Sequence, residues 1–171
     1  MDVPADGVAR AFLLPKLKGL TATYFLHLRL EDAAGQTVSR NFYWLSTKPD
    51  RLDWAATTWS RTPLESAADF TALSALAPAE VAGAADFETR GPEGVARVRV
   101  TNTGKTLAFL VRLKLARQDN GEEILPVLWE DNYFELFPGE TREIRATYHL
   151  RDSGGAHPAL EISGWNLNRH R

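Results

Sequence analysis

The chain has 171 residues, of which 44% are hydrophobic, 10% aromatic and 25% charged, the composition of one globular domain or of one domain with part of another. With 20 Lys and Arg against 22 Asp and Glu the net charge is −2, so we expect neither a nucleic-acid nor a membrane partner. The absence of cysteine excludes disulfides and thiolate metal sites, and no apolar run approaches the roughly 20 residues of a membrane helix.

Residues 1–47 alternate like β-strands but contain too few strands for a domain. Between Thr21 and Leu30 every second residue is apolar, which places one set of side chains on a single strand face. That set is Ala22, Tyr24, Leu26, Leu28 and Leu30. About two or three strands need another layer to pack on. We therefore predict that residues 1–47 are the last strands of an upstream β-domain.

Residues 48–65 are predicted to be a mostly irregular linker. They show no sustained alternation and include Pro49 and Pro63. Trp54 and Trp59 would expose large apolar rings in a free tether, so we expect the segment to lie against one of its neighbours.

Residues 66–171 are predicted to form an antiparallel β-sandwich, because about seven short alternating segments are separated by Gly, Asn and Asp. In Glu143–Leu150, for example, the apolar residues take the even positions. The polar run Asn102–Lys105 between two such segments predicts a hairpin. Asn120-Gly121 predicts a second hairpin, with the two positive φ angles of a type I′ turn.

Motifs that carry chemistry are not found. The histidines lack the spacing of metal ligands, and Ser153 lies in a polar loop without the strand-to-helix elbow of a serine nucleophile. Adjacent acids such as Glu122 and Glu123 point to opposite faces of a strand and cannot alone flank a glycosidic bond. We expect no catalytic residue, no metal and no cofactor. The histidines are His27, His149, His157 and His170.

One segment, Asp119 to Glu140, combines seven acids with four aromatic residues and has no Lys or Arg. Aromatic rings that face a pyranose, together with carboxylates that bind its hydroxyls, are typical of carbohydrate binding, and negative charge suits an amino sugar. The candidate sugar-contacting residues are Trp129, Asp131, Asn132 and Tyr133.

A structural interpretation of this segment is simpler, and we favour it. Trp129, Phe134 and Phe137 then fill the sandwich core, Pro138-Gly139 makes a turn, and the acids form a solvated edge. Four basic residues on two successive strands are expected to face these acids across the sheet. They are Arg97, Arg99, Arg112 and Lys114.

Several segments together resemble the C-terminal β-sandwich region of glycoside hydrolase family 2, specifically the exo-β-D-glucosaminidases and β-mannosidases. The most specific one runs from Trp129 through Asp131-Asn132-Tyr133-Phe134 to Pro138-Gly139-Glu140. Ser74 stands where these enzymes often have Asn. The other matching segments are Asn41–Ser46, Pro49–Trp54 with Trp59, Asp69–Leu76, Leu107–Phe109 and Ser163–Asn166.

The resemblance implies an all-β chain with an immunoglobulin-like sandwich over 66–171 and the end of another immunoglobulin-like domain over 1–47. In the family, catalysis belongs to two Glu residues on a TIM barrel, one of them after an Asn; no Asn-Glu pair occurs here, so no catalytic residue is carried over. The resemblance does not distinguish a glucosaminidase from a mannosidase.

Three functional hypotheses follow, of which the least favoured, that the isolated chain is itself a hydrolase, requires two acids about 5 Å apart in a pocket. The first is a non-catalytic accessory domain whose partner is the rest of its parent enzyme; the alternative is a carbohydrate-binding module for chitosan- or mannan-type glycans. We also expect an exposed apolar patch within residues 1–60, with possible self-association through it. The residues expected in that patch are Phe25, Phe42, Trp44, Trp54 and Trp59. The family is commonly exported, so we expect a periplasmic or secreted parent, although the first residues do not read as a signal peptide.

Overall fold

The computed structural model describes residues 3–168. His170, considered above as a metal ligand, lies outside the described residues, as do residues 1, 2, 169 and 171. The chain forms two compact units, Met1–Ala75 and Leu76–Arg171. Its described part contains no helix that is long and apolar enough to cross a membrane.

The first unit is built on two strand pairs and a short 3₁₀ helix, Thr71–Ala75. The longer pair is an antiparallel hairpin whose turn is closed by Asp32, which accepts hydrogen bonds from the backbone N–H groups of Ala34 and Gln36. The four strands are β1 (Thr23–Glu31), β2 (Thr37–Ser46), β3 (Arg51–Leu52) and β4 (Leu64–Ser66). Strand β1 lies where the alternation predicts it, but its predicted apolar face is half-buried or exposed rather than buried.

The second unit is a two-layer antiparallel sandwich, which confirms the predicted fold class. One sheet has four strands in the order β5-β6-β10-β8, and the other has three in the order β11-β7-β9. The strands are β5 (Val81–Arg90), β6 (Glu93–Asn102), β7 (Ala108–Arg117), β8 (Val127–Trp129), β9 (Phe134–Leu136), β10 (Thr141–His149) and β11 (Pro158–Ser163).

The core of the sandwich is formed by the alternating apolar side chains of both sheets. In β10 the even positions Ile144, Ala146 and Tyr148 are buried, as their spacing predicts. Strand β7 is the centre of the three-stranded sheet and contributes the largest share of fully buried side chains. These include Phe109, Val111, Leu113 and Leu115.

The predicted hairpin at Asn102–Lys105 is wrong. Strand β6 ends at Asn102 in the four-stranded sheet, whereas β7 begins at Ala108 in the other sheet, so the chain crosses between layers here. The Asn102 side chain is buried and holds this crossing: its amide donates to the carbonyls of Thr106 and Leu136, and its oxygen accepts from Gly104 N–H. Alternation alone does not say which strand is the neighbour.

The predicted second hairpin is present, since Ala116 and Glu123 pair in an antiparallel bridge, but its predicted type I′ turn at Asn120-Gly121 is wrong. Gly121 has φ +74°, but Asn120 is not among the described residues with positive φ. The reversal is wider, with Arg117 N–H bonded to Glu122 O and Gly121 N–H to Arg117 O. The Asn120 side chain instead accepts a hydrogen bond from Glu122 N–H, a turn of the Asx kind.

Segment 48–65 holds β3 and the first residues of β4, paired with each other. The division into 1–47, 48–65 and 66–171 stays a prediction.

Candidate functional site

The four candidate sugar-contacting residues are not presented together. Trp129 ends β8 in the four-stranded sheet, whereas Tyr133 immediately precedes β9 in the three-stranded sheet. The Trp129 side chain is half-buried and packs against the core, while Tyr133 is 57% exposed. The two rings therefore do not form one binding surface. Asp131 and Asn132, which lie between them in the chain, make different contacts.

Asn132 is bonded to the backbone of the central strand β7. Its Oδ1 accepts from Leu113 N–H at 2.8 Å and its Nδ2 donates to Leu113 O at 3.0 Å. The same Oδ1 accepts from Tyr133 N–H. Strand β9 pairs with β7 only as far as Phe134 and Val111, so Asn132 continues the ladder with its side chain. This is a structural role for one of the predicted contacts.

Asp131 belongs to a cluster of acids around Arg142. The Arg142 side chain is 7% exposed, with Nη1 at 2.5 Å from Asp131 Oδ2 and Nη2 at 3.3 Å from Glu135 Oε1. Glu140 lies 4.0 Å from the same guanidinium, which also stacks over the Phe134 ring. Three of the seven acids of the segment therefore balance one buried positive charge rather than forming only a solvated edge.

The aromatic residues of the segment divide between core and surface. Phe134 is buried, and Trp129 and Phe137 are half-buried. Gly139 has φ +76°, as the predicted Pro138-Gly139 turn requires.

Of the four basic residues expected to face these acids, Arg112 forms an ion pair with one of them, whereas the other three pair with acids outside the segment. Arg112 binds Glu123 through Nη2 at 2.7 and 2.9 Å, and this hydrogen bonding raises the pKa of Arg112. Lys114 pairs with Glu161 of β11. Arg97 and Arg99 lie in the other sheet, where they pair with Glu88 of β5 and Glu143 of β10.

Tyr133 lines a cleft of about 850 Å³ in the second unit, together with Trp165, Leu110 and Arg112. Trp165 is 55% exposed. The cleft is also lined by residues 79–81 and by residues 162–164, 167 and 168. A smaller groove of about 330 Å³ lies on the charged face of the four-stranded sheet, where Arg99 is paired with Glu143.

The remaining candidates for chemistry lie apart. His149 ends β10 and His157 immediately precedes β11; both are exposed, and no group of three or more His, Asp or Glu within residues 3–168 is arranged to hold a metal. Ser153 is buried, and its hydroxyl donates to Leu150 O in a short 3₁₀ helix, Leu150–Ser153. That serine is a structural turn residue.

The family model "Exo-beta-D-glucosaminidase Ig-fold domain" matches residues 59–167. The chain belongs to this family. It is 41% identical over 172 aligned residues to the exo-beta-D-glucosaminidase of Streptomyces avermitilis, covering 97% of this chain and 19% of that protein. It is 41% identical over 162 residues to the enzyme of Amycolatopsis orientalis, covering 92% of this chain and 16% of that protein. This confirms the resemblance stated from the sequence.

A solved structure agrees with the Ig-fold assignment. The crystal structure of the exo-chitosanase of Amycolatopsis orientalis superposes with a TM-score of 0.87 at 37% identity, over 94% of this chain and 19% of that one. The chain thus spans about a fifth of the length of the relatives it matches. It corresponds to the part of those relatives that the family model describes as an Ig-fold domain.

Sequence reasoning missed two residues of this region. Arg142 lies within β10, at the even position just before the alternating run Glu143–Leu150, so extending that run by one pair of residues predicts a buried arginine. Trp165 comes two residues after β11, and nothing in its spacing shows that it would share a cleft with Tyr133.

Proposed function

We propose that this Ig-fold chain is the accessory region of a multidomain exo-acting β-glycosidase that cleaves β-D-glucosaminides. The observation that carries the proposal is the match itself: nearly all of this chain aligns, at 41% identity, with about a fifth of an exo-beta-D-glucosaminidase. The names of these relatives favour a glucosaminidase over a mannosidase parent.

The arrangement of acids supports an accessory role. A retaining glycosidase needs two carboxyl groups about 5 Å apart on either side of a sugar, one of them free to protonate the leaving oxygen. Asp131 and Glu135 instead bind the Arg142 guanidinium, and Glu123 binds Arg112. Carboxylates that are bound to guanidinium groups in this way are not placed on either side of an open sugar site.

The rest of the parent enzyme is the proposed partner of the first unit. Trp59 is 100% exposed and Trp54 72% exposed, and Trp44 is also exposed. The Phe25 and Phe42 rings are half-buried and pack against each other at a tilt of 31°. Large exposed apolar side chains mark surfaces that another protein covers. In the isolated chain the same surface favours self-association.

Carbohydrate binding is the second candidate function, and the exposure of Tyr133 at a cleft favours it. For the parent we propose a periplasmic or secreted location, as the family resemblance implies.

A complementation assay tests the accessory role. The isolated chain is expected to release no nitrophenol from p-nitrophenyl β-D-glucosaminide. Added to an Amycolatopsis orientalis enzyme from which the matching region has been deleted, it is expected to restore hydrolysis. Hydrolysis by the isolated chain would refute the accessory role, and failure to restore activity would contradict the proposed partner. A Trp54→Ser/Trp59→Ser chain is the matched control, with weaker restoration expected.

A further inference from the structure

Two exposed aromatic rings line the same cleft of the sandwich. Tyr133 is 57% exposed and Trp165 is 55% exposed, and both line the cleft of about 850 Å³. This volume lies within the range of small-molecule sites, roughly 300–1,000 Å³. Core packing does not account for two rings that remain more than half in solvent.

The Tyr133 ring stands on a rigid support. Asn132 fixes the preceding position to both backbone groups of Leu113 and also accepts from Tyr133 N–H. Tyr133 itself has φ +58°, a conformation that is uncommon for a bulky side chain. The hydrogen bonds of Asn132 hold the residue there.

The Trp165 ring is supported in the same way by the asparagine that follows it. Asn166 Oδ1 accepts from Phe109 N–H at 2.9 Å, and Nδ2 donates to Leu107 O and to Ala77 O at 2.8 Å. Trp165 N–H donates to Phe109 O. Gly164 lets the segment pack closely, because a Cβ there would lie 2.8 Å from Leu167 Cγ.

The side chains of Asn132 and Asn166 both bind backbone groups of residues 107–113, the segment that contains β7. A second residue with a strained backbone lies in this segment. Leu110, which also lines the cleft, has φ +49° at the point where the β7–β9 register shifts. Strained residues of this kind cluster at binding and active sites. The cleft is therefore preorganised, which lowers the entropy cost of binding.

The other lining residues supply polar groups. Glu80 contributes a carboxylate, Ser163 a hydroxyl and Asn168 an amide, and Arg112 is held by Glu123. We propose that this cleft binds a saccharide, with the rings of Tyr133 and Trp165 against pyranose faces. Glu80 and the aromatic faces favour a sugar that carries an ammonium group. The choice of an amino sugar rests on the proposed function, whereas the stacking of a pyranose does not.

An NMR titration of the ¹⁵N-labelled chain tests the site. The probes are the β-1,4 tetramer of glucosamine and its fully N-acetylated counterpart. We expect saturable shifts at the Trp165 indole and around Tyr133, and none at the indoles of Trp54 and Trp59. Tyr133→Ala is expected to weaken binding of both tetramers about tenfold, and Tyr133→Phe to restore it. Glu80→Gln is expected to abolish the preference for the free amine while leaving the N-acetylated tetramer unaffected.

Trp59→Ala is the matched control, since it removes an exposed indole from the first unit and leaves the cleft unchanged. No saturable shift with either tetramer would overturn the proposal, as would binding that Tyr133→Ala leaves intact. The complementation assay is independent of this result. If the chain restores hydrolysis but binds no saccharide, only the saccharide site is rejected. If it binds saccharide but does not restore hydrolysis, only the proposed partner is rejected.

Discussion

The side-chain amide of Asn132 pairs with both backbone groups of Leu113, taking the place that the backbone of a neighbouring strand would occupy. Strand β9 is only three residues long, and the Asn132 side chain adds one more pair of hydrogen bonds between this segment and β7. The Asp-Asn-Tyr-Phe segment thus fixes the start of β9, and it turns Phe134 into the core and Tyr133 into solvent.

Replacing Asn132 by Ala is expected to destabilise the second unit by about 2–4 kcal/mol, because two backbone groups of Leu113 lose their partners. The urea midpoint, followed through the NMR signals of Trp129 and Trp165, measures this unit separately from the first. Asn120→Ala is the matched control: it removes one exposed turn bond and is expected to cost less than about 1 kcal/mol. Equal midpoints for the two variants would contradict the role of Asn132.

Arg142→Met is expected to cost about 3–5 kcal/mol, because it leaves the Glu135 carboxylate, whose side chain is 10% exposed, without its counter-charge. The double variant Arg142→Met/Glu135→Gln is expected to recover part of that loss. Arg99→Met, which breaks an exposed ion pair with Glu143, is the control and should change stability by less than about 1 kcal/mol. Urea denaturation of the four proteins gives the comparison. If the double variant is no more stable than Arg142→Met, the buried charge is not the cause.

The fold class and the strands of the sandwich could be predicted from the sequence because they depend on local alternation. Strand β10 follows its period of two from end to end, and β6 follows it from Ala96 onward. The pairing of strands depends on contacts far apart in the chain. Asn102 illustrates the difference, since a polar residue after a strand indicates a turn, and only its bonds to Thr106 and Leu136 show that the chain changes sheets.

The candidate site could be predicted only in part, for the same reason. The sequence draws attention to residues 129–133, and the structure places Tyr133 at a cleft. Trp165 is 32 positions further along the chain (165 − 133), beyond the reach of any spacing argument. Similarly, the run of acids is conspicuous in the sequence, but the buried charge that it surrounds lies on the next strand.

Gly94 is covered by the ring of Tyr148, its direct partner across β6 and β10. A Cβ at position 94 would lie 2.2 Å from Tyr148 Cζ. Because the position of a β-carbon is fixed by the backbone, the Tyr148 ring or the backbone would have to move to relieve this clash. Gly94→Ala is therefore expected to destabilise the second unit by about 1–3 kcal/mol, the usual cost of overpacking. Differential scanning calorimetry would measure the loss.

A double-mutant cycle isolates the contact between these two residues. In a Tyr148→Leu background the ring is absent, so Gly94→Ala is expected to cost clearly less than it does in the parent chain. If the alanine costs the same in both backgrounds, its effect comes from the backbone at position 94 and not from the ring.

The hydroxyl of Tyr148 makes the stability of the sandwich sensitive to alkaline pH. Burial raises the pKa of this phenol above its ordinary value of about 10, because the charged phenolate is poorly solvated there. The folded state therefore holds the proton more tightly than the unfolded state. The stability that this provides is complete below the ordinary pKa and is lost as the pH rises through and above it. Urea midpoints measured from about pH 8 to about pH 11 are expected to fall more steeply for the parent chain than for Tyr148→Phe, which keeps the ring against Gly94 and has no proton to lose. Parallel pH profiles for the two proteins would show that the phenol ionises equally well in both states.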